Sequence, residues 1–383
     1  MRVSFFLALA ISILFSCGKD SDRSTTGSST NLTITVDTIW VDPGEEIIFL
    51  QDNLFLSDLS PDRKYLINFD RANLVAERIN LDNLSLERKI RFEKDGPNAL
   101  PIYFGGFKIM SNEQLLVWNY GFYKVFDQNT QLVSDLGLEK IAAEFLSGSD
   151  CYPIGLFEDQ KNKDRLIGVF IKWAERSYFI LDFDLAAQTF TKTELPELNQ
   201  LQKFSVNILH DGNFAGAYGV AVRALTTGEN LLITNNSLNE VLVYDLETYS
   251  TYSKAWDSDF FGTGKSYFPP KEVENASGQI EDIIRTIKED IVFENFFWDS
   301  AQRRFYRFAS SEHFAEEKDQ YGRYVPTRAD IYLSIFDENL DLLAEALIPE
   351  LKTTPKKHFL KDDKIWIFEN IEDELAFIRL GLE

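Results

Sequence analysis

The stretch NLLITNNSLNEVLVYDLETYSTYSKA, residues 230–255, holds a complete structural unit. LLIT and VLVY are short, nearly continuous apolar runs of the length of a strand, and their β-branched and aromatic content suits a sheet covered on both faces. NNSLN separates them with turn-forming residues. Asp245 then opens a second turn, where its carboxylate can accept from backbone N–H groups two or three residues on. The unit therefore reads as strand, polar turn, strand closing on Asp, short turn, strand.

Working outward, the same unit recurs in KYLINFDRANLVAERINLDNLSLERKI (64–90) and QLLVWNYGFYKVFDQNTQLVSDL (114–136). Weaker copies are RLIGVFIKWAERSYFILDFDLAAQTFTKTEL (165–195) and ADIYLSIFDENLDLLAEALI (329–348), the latter preceded by FENFFWDSAQRRFYRFA (293–309). The turn-entry residues Asp82, Asp127, Asp184, Asp245 and Asp337 are spaced by 45, 57, 61 and 92 residues. Units of about 40–60 residues fit four-stranded propeller blades. HFLKDDKIWIFENIEDELAFIRLGL (358–382) supplies only three strands, and NLTITVDTIWV (31–41) is an orphan. Pairing the two completes a sixth blade and removes two exposed sheet edges. The expectation is an all-β, six-bladed propeller over residues 31–383, with seven blades the competing count.

Two segments break the β pattern. Ile280, Ile283, Ile284, Ile287 and Ile291 recur at helical spacing in 276–294, with Glu281 and Asp282 placed to complement the helix dipole. DLGLEKIAAEFLSG (135–148) reads as a second helix. Either can pack on the core or cover a channel mouth.

The chain of 383 residues carries 39 basic and 61 acidic side chains, a net charge of −22, and a pI near 4.6. Such a surface repels nucleic-acid phosphates and anionic headgroups, so no nucleic-acid partner is expected and membrane attachment needs another device. The N-terminus offers one. Arg2, the apolar run from Val3 to Phe15, Ser16 and Cys17 follow a signal-peptide plan, and 13 apolar residues fall short of the roughly 20 a spanning helix requires.

Leu14, Phe15, Ser16 and Cys17 resemble the lipobox of bacterial lipoproteins, although Phe15 stands where a small or aliphatic residue is usual. The resemblance implies lipidation of Cys17 after removal of residues 1–16, then a flexible tether over 17–30. Lys19, Asp20 and Asp22 are similar to export tags that carry Bacteroidota lipoproteins to the outer face of the outer membrane. The expected location is the outer membrane, on its periplasmic or cell-surface side. With Cys17 consumed, Cys151 has no disulfide partner and reads as a small buried apolar residue.

The sequence carries few motifs of known chemistry. FGTGKS (261–266) lacks the first glycine of a phosphate-binding loop, whose place Asp259 occupies, and prolines follow where a helix would start. His210, His313 and His358 show no metal-ligand spacing. No nucleophile elbow or paired-cysteine motif occurs. Calcium at clustered carboxylates such as Asp182 and Asp184 is possible but unspecific in so acidic a chain, and no cofactor is expected.

The most unusual local composition is AWDSDFFGTGKSYFPP (255–270) with RRFYRF (303–308). Aromatic and arginine side chains dominate recognition surfaces, so Trp256, Phe260, Phe261, Tyr267 and Arg307 are the candidate partner contacts. The bland reading is that they pack the insertion onto the body. Asp37-Thr38-Ile39 and Asp299-Ser300-Ala301 look like Bacteroidota O-glycosylation sequons, Ser300 being the better placed.

The lipobox, the length, DLSPDRKYLINFD (58–70) and NFFWDSAQRRFYRF (295–308) together resemble an uncharacterised family of Bacteroidota lipoproteins. The resemblance implies a domain of unknown function with a TolB-like six-bladed propeller, and brings no catalytic residues. The leading expectation is a monomeric, lipid-anchored, non-catalytic propeller that binds a partner protein or a glycan. The competing one is a propeller enzyme, hydrolase or lyase, acting on extracellular polysaccharide. Convergent acids around a channel favour the enzyme, and an aromatic patch on one rim favours the binder.

Overall fold

In the computed structural model, which describes residues 32–382, the quoted stretch forms the strands Asn230–Asn235, Glu240–Asp245 and Thr251–Ala255. Val222–Thr226 precedes them as a fourth, and all four pair antiparallel in chain order as sheet IV. The expectations for residues 1–16, Cys17, Lys19, Asp20, Asp22 and the tether lie outside the described residues.

The other repeat copies behave alike. Sheet I is Ser57–Leu59, Tyr65–Asp70, Val75–Asn80 and Ser85–Arg91. Sheet II is Gly106–Ile109, Leu115–Asn119, Phe122–Phe126 and Leu132–Asp135. Sheet III is Cys151–Glu158, Arg165–Lys172, Ser177–Asp184 and Thr189–Glu194. Sheet V is Val292–Asp299, Arg304–Lys318, Tyr324–Asp337 and Leu342–Leu347.

Sheet VI is the exception in connectivity. His358–Lys361, Lys364–Ile371 and Glu374–Leu382 are completed by the first strand of the chain, Ile34–Trp40, which runs antiparallel to the last with Ile34 opposite Leu382 and Trp40 opposite Ala376. Asp37 reinforces the seam, accepting from Arg379 at 2.6 Å and from Lys364 at 2.7 Å. The two cations hold its carboxyl down at about 2.

Apolar strands covered on both faces need a neighbour on each side, and each sheet finds one. Phe69 and Phe104 join sheet I to sheet II. Val125 and Phe170 lie in the core between II and III, Ile180 and Tyr244 between III and IV, and Val243 and Phe336 between IV and V. Leu333 and Ile367 link V to VI, while Phe359 and Trp366 of sheet VI pack with Leu66 and Ile79 of sheet I. The fold is thus mainly β and propeller-like, built from small antiparallel sheets stacked face to face. Cys151 is buried in the core between II and III, as its apolar reading requires.

The turn aspartates act as expected at four of five positions. Asp127, Asp184, Asp245 and Asp337 each accept backbone N–H bonds from two to four residues ahead. At the fifth turn Asn80 takes that role, and Asp82 instead receives Lys361 Nζ from sheet VI.

Both helices are shorter than their apolar periodicity predicts. Residues 135–148 give two single turns, α1 (Leu138–Ile141) and α2 (Ala143–Leu146), broken where Ala142 leaves helical geometry. In 276–294, α3 covers Ile280–Glu289 only. Asp290 ends it by turning its carboxylate to the N–H groups of Ser266, Tyr267 and Ile291, and the chain enters sheet V at Val292.

Two insertions join into a small lobe. Val206–His210 and Asn213–Tyr218, between sheets III and IV, pair with Glu272–Glu274 from between IV and V. Ile283 and Ile287 of α3 pack onto Val206 and Val273. Lys265 of the failed phosphate-loop motif is buried here and donates to Ile287 O at the end of α3, a structural role that leaves nothing for a phosphate.

Candidate functional site

The first strands of the sheets lie side by side: sheet I beside II, III beside IV, IV beside V, and V beside VI. The loops that enter them therefore gather at one mouth. Three connected depressions open there, sharing Phe55, Tyr218, Val220, Ala221, Glu294, Thr354 and Lys356 along their borders.

The largest has a volume of about 650 Å³ and is walled by aromatic side chains. Tyr103, on the loop before sheet II, is 80 % exposed, and Phe55, before sheet I, is 74 % exposed. Tyr120 and Tyr152 meet with ring centroids 4.8 Å apart, and Trp173 Nε1 donates to the Tyr120 hydroxyl at 2.8 Å. Asn119 fixes the rim by donating to Tyr103 O. Tyr178 and Tyr218 form the floor toward the lobe, burial pushing the Tyr178 hydroxyl up to about 12. Gly105 is required by contact: a Cβ there would stand 1.4 Å from the Tyr152 hydroxyl oxygen, so any side chain displaces that ring.

This wall carries no Asp or Glu; its charged residues are Arg71 and Arg176. Arg71 lies 3.5 Å from Asp52. Arg176, on the turn between the middle strands of sheet III, donates from Nη1 to Ser205 Oγ at 2.7 Å, while its buried Nη2 has no hydrogen-bond partner among the described residues. Burial lowers its pKa from the ordinary arginine value.

The other two depressions are polar. Arg223 pairs with Glu294 at 2.8 Å between sheets IV and V. Lys357 reaches Ser57 O at 2.7 Å, joining VI to I, and burial depresses its ammonium. His358 packs edge-on against Phe297 and Phe308, and desolvation holds its imidazole down at about 4. Among the described residues no group of three or more His, Cys, Asp and Glu side chains is placed to hold a metal ion. The Asp182 carboxylate, a calcium candidate by sequence, is taken by Arg165, and Asp184 is turned into its hairpin.

The contacts expected from sequence are dispersed, and none lines the aromatic cavity. Trp256 is buried, stacked obliquely on Phe336 and donating from Nε1 to Leu340 O. Arg307 is also buried, donating to Glu294 O and Asn235 O under the rings of Phe293 and Phe296. Neither reaches a surface partner, because each satisfies its polar atoms inside the core. Phe261 packs edge-on against Phe293 and Tyr332, and Tyr267 joins the lobe core. Phe260 remains 42 % exposed beside Tyr332. Ser300 sits exposed at the tip of a turn held by Asp299, whereas Thr38 is half-buried within the first strand.

The cavity residues escape a reading of single repeats because they are divided between two, Tyr103 and Tyr120 with sheet II and Tyr152, Trp173 and Arg176 with sheet III. PIYFGGF, NYGFY and WAERSY each read as ordinary strand ends and turns. A shared signal does exist, an aromatic residue at the turn between the second and third strands, in NYGFY of sheet II and WAERSY of sheet III, and it emerges when the two repeats are aligned.

Comparison with known proteins follows the fold. Residues 29–347 match the family described as "Domain of unknown function (DUF4221)". A crystal structure of a DUF4221 member from Bacteroides vulgatus is similar at TM-score 0.62 and 14 % identity, covering 92 % of this chain and 98 % of that one. A protein from Bacteroides fragilis described as exported is similar at TM-score 0.50 and 9 % identity, covering 95 % and 98 %. The β-propeller domain of Cps50 (Swd1) from Myceliophteria thermophila aligns at TM-score 0.40 and 10 % identity, covering 91 % and 99 %. No match was found among curated proteins.

Proposed function

The chain belongs to the DUF4221 family, and from that premise we propose that it is a non-catalytic binding protein that takes a glycan into the aromatic cavity. The carrying observation is the convergence of Tyr103, Tyr120, Tyr152 and Trp173 from sheets II and III on one concave site of about 650 Å³. That volume falls in the range, about 300–1,000 Å³, of sites that enclose a small ligand. Aromatic faces backed by hydroxyl and amide groups suit the alternating apolar and polar faces of sugar rings. A cavity wall without carboxylates offers no acid and base pair for glycoside cleavage.

In the same reading the six four-stranded sheets are six blades of one ring, and the strand Ile34–Trp40 is its closure. Support comes from the packing of sheet VI on sheet I and from Arg63, whose Nη1 reaches Leu360 O at 3.0 Å. The protein is a monomer held on the outer membrane through lipid on Cys17, and the acidic body is displayed away from anionic headgroups. Ser300, at an exposed turn, is the position for O-glycan attachment.

The test is titration of the mature full chain with a panel of oligosaccharides by calorimetry, with product analysis after prolonged incubation. Saturable binding without cleavage, weakened in Trp173→Ala, is expected. Cleavage of any panel member, or binding indifferent to Trp173, overturns the reading.

A further inference from the structure

We infer that the ligand of the aromatic cavity is an acidic glycan, whose sugar carboxylate is received by the guanidinium of Arg176. This deepens the glycan-binding reading and rests on it. The argument starts from charge. A chain with 61 acidic side chains places none on this wall, yet sets two arginines there. Arg71 has Asp52 close by, but Arg176 pairs with no carboxylate among the described residues.

A guanidinium presents five N–H donors in a planar fork. In Arg176 one arm is committed to Ser205 Oγ, and Phe214 stands 5.9 Å from the charge on one side. Nη2 is shielded from solvent with its donors unmet. The guanidinium lines the cavity with no carboxylate of the described residues paired to it, and a planar carboxylate matches the fork in shape and charge. Gln202 steadies the support by donating to the carbonyls of Glu175 and Arg176, so the turn that carries the guanidinium is tied to the segment that leads into the lobe.

The neighbours are arranged for the rest of such a ligand. Trp173 lies three residues before Arg176 on the same turn and is 45 % exposed, and with Tyr120 and Tyr152 it offers ring faces beside the charge. A sugar ring carrying its own carboxylate can then use both surfaces at once. Neutral sugars use only the aromatic part.

The test titrates the full chain with glucuronate-, galacturonate- and sialic-acid-terminated oligosaccharides, each paired with its methyl ester, and with a sulfated oligosaccharide. At least one acid is expected to bind roughly 10- to 100-fold more tightly than its ester, the range of a hydrogen bond to a charged group. Arg176→Gln removes that preference, so that acid and ester bind alike, and Arg176→Lys restores only part of it. Equal affinity for acid and ester, or a preference that survives Arg176→Gln, overturns the inference while the glycan reading stands. Tighter binding of the sulfated probe than of any uronate overturns the carboxylate assignment. Failure of acids, esters and neutral sugars alike refutes the underlying reading itself.

Discussion

Trp173 Nε1 donates to the hydroxyl of Tyr120 at 2.8 Å, tying a turn of sheet III to a turn of sheet II across the cavity wall. The bond fixes two exposed aromatic faces relative to each other, so the site is organised before any ligand arrives. Replacing Trp173 by Phe keeps a ring but breaks this tie. A several-fold loss of affinity is expected for Trp173→Phe and about 10-fold or more for Trp173→Ala, with the melting temperature little changed. Calorimetric titration beside thermal unfolding separates these effects.

The seam between the first and last strands makes a second prediction. Removing residues 32–40 strips the partner from Glu374–Leu382 and opens the core beside Val41 and Phe377. An unpaired apolar edge pairs with other chains. The truncated protein is expected to melt at lower temperature and to associate on light scattering. A monomer that unfolds with the parent chain rules out a closing role for this strand.

Arg307 is buried and bound only to carbonyls and amide oxygen. Desolvation depresses its ionisation to about 9. Arg307→Ala leaves Glu294 O and Asn235 O without these donors and opens a void beneath Phe293 and Phe296. A loss of about 3 kcal/mol or more is expected in denaturant unfolding, with glycan affinity per folded molecule preserved.

His358 gives the pH dependence a sign. Its folded-state ionisation, about 4, lies below the ordinary 6.5, so the unfolded chain binds the extra proton between those limits. The stability that His358 contributes is present above pH 6.5 and is lost as pH falls toward 4. Its ring edge borders an open depression, which trims the effect below the full shift. Melting curves at pH 7 and pH 5 are expected to converge in His358→Gln relative to the parent chain.

If the proposed lipid on Cys17 is the anchor, Cys17→Ala is expected to move the protein from the membrane fraction to the soluble one. Continued sedimentation of that variant with membranes would remove the lipid attachment.

What could be read from the sequence divides along physical lines. Strand units were legible because VLVYD and YLINF carry their own turn chemistry and their own two-sided apolar character. The pairing of 34–40 with 374–382 was legible by elimination, one surplus strand against one deficit. Trp256 and Arg307 misled because composition marks residues able to bind but not whether their polar atoms are already satisfied; Leu340 O and Asn235 O do that here. The cavity wall escaped because Tyr103, Tyr120, Tyr152, Trp173 and Arg176 are juxtaposed by blade stacking. No local pattern encodes a contact between two turns of successive units.

The partnership of Asp37 with Arg379 spans 342 positions along the chain. Bringing such distant segments together is entropically demanding, and contacts of this range form late. During synthesis the apolar face around Leu66 and Ile79 is complete long before Phe359 and Trp366 emerge to cover it. The nascent protein thus carries an open hydrophobic flank for most of its assembly.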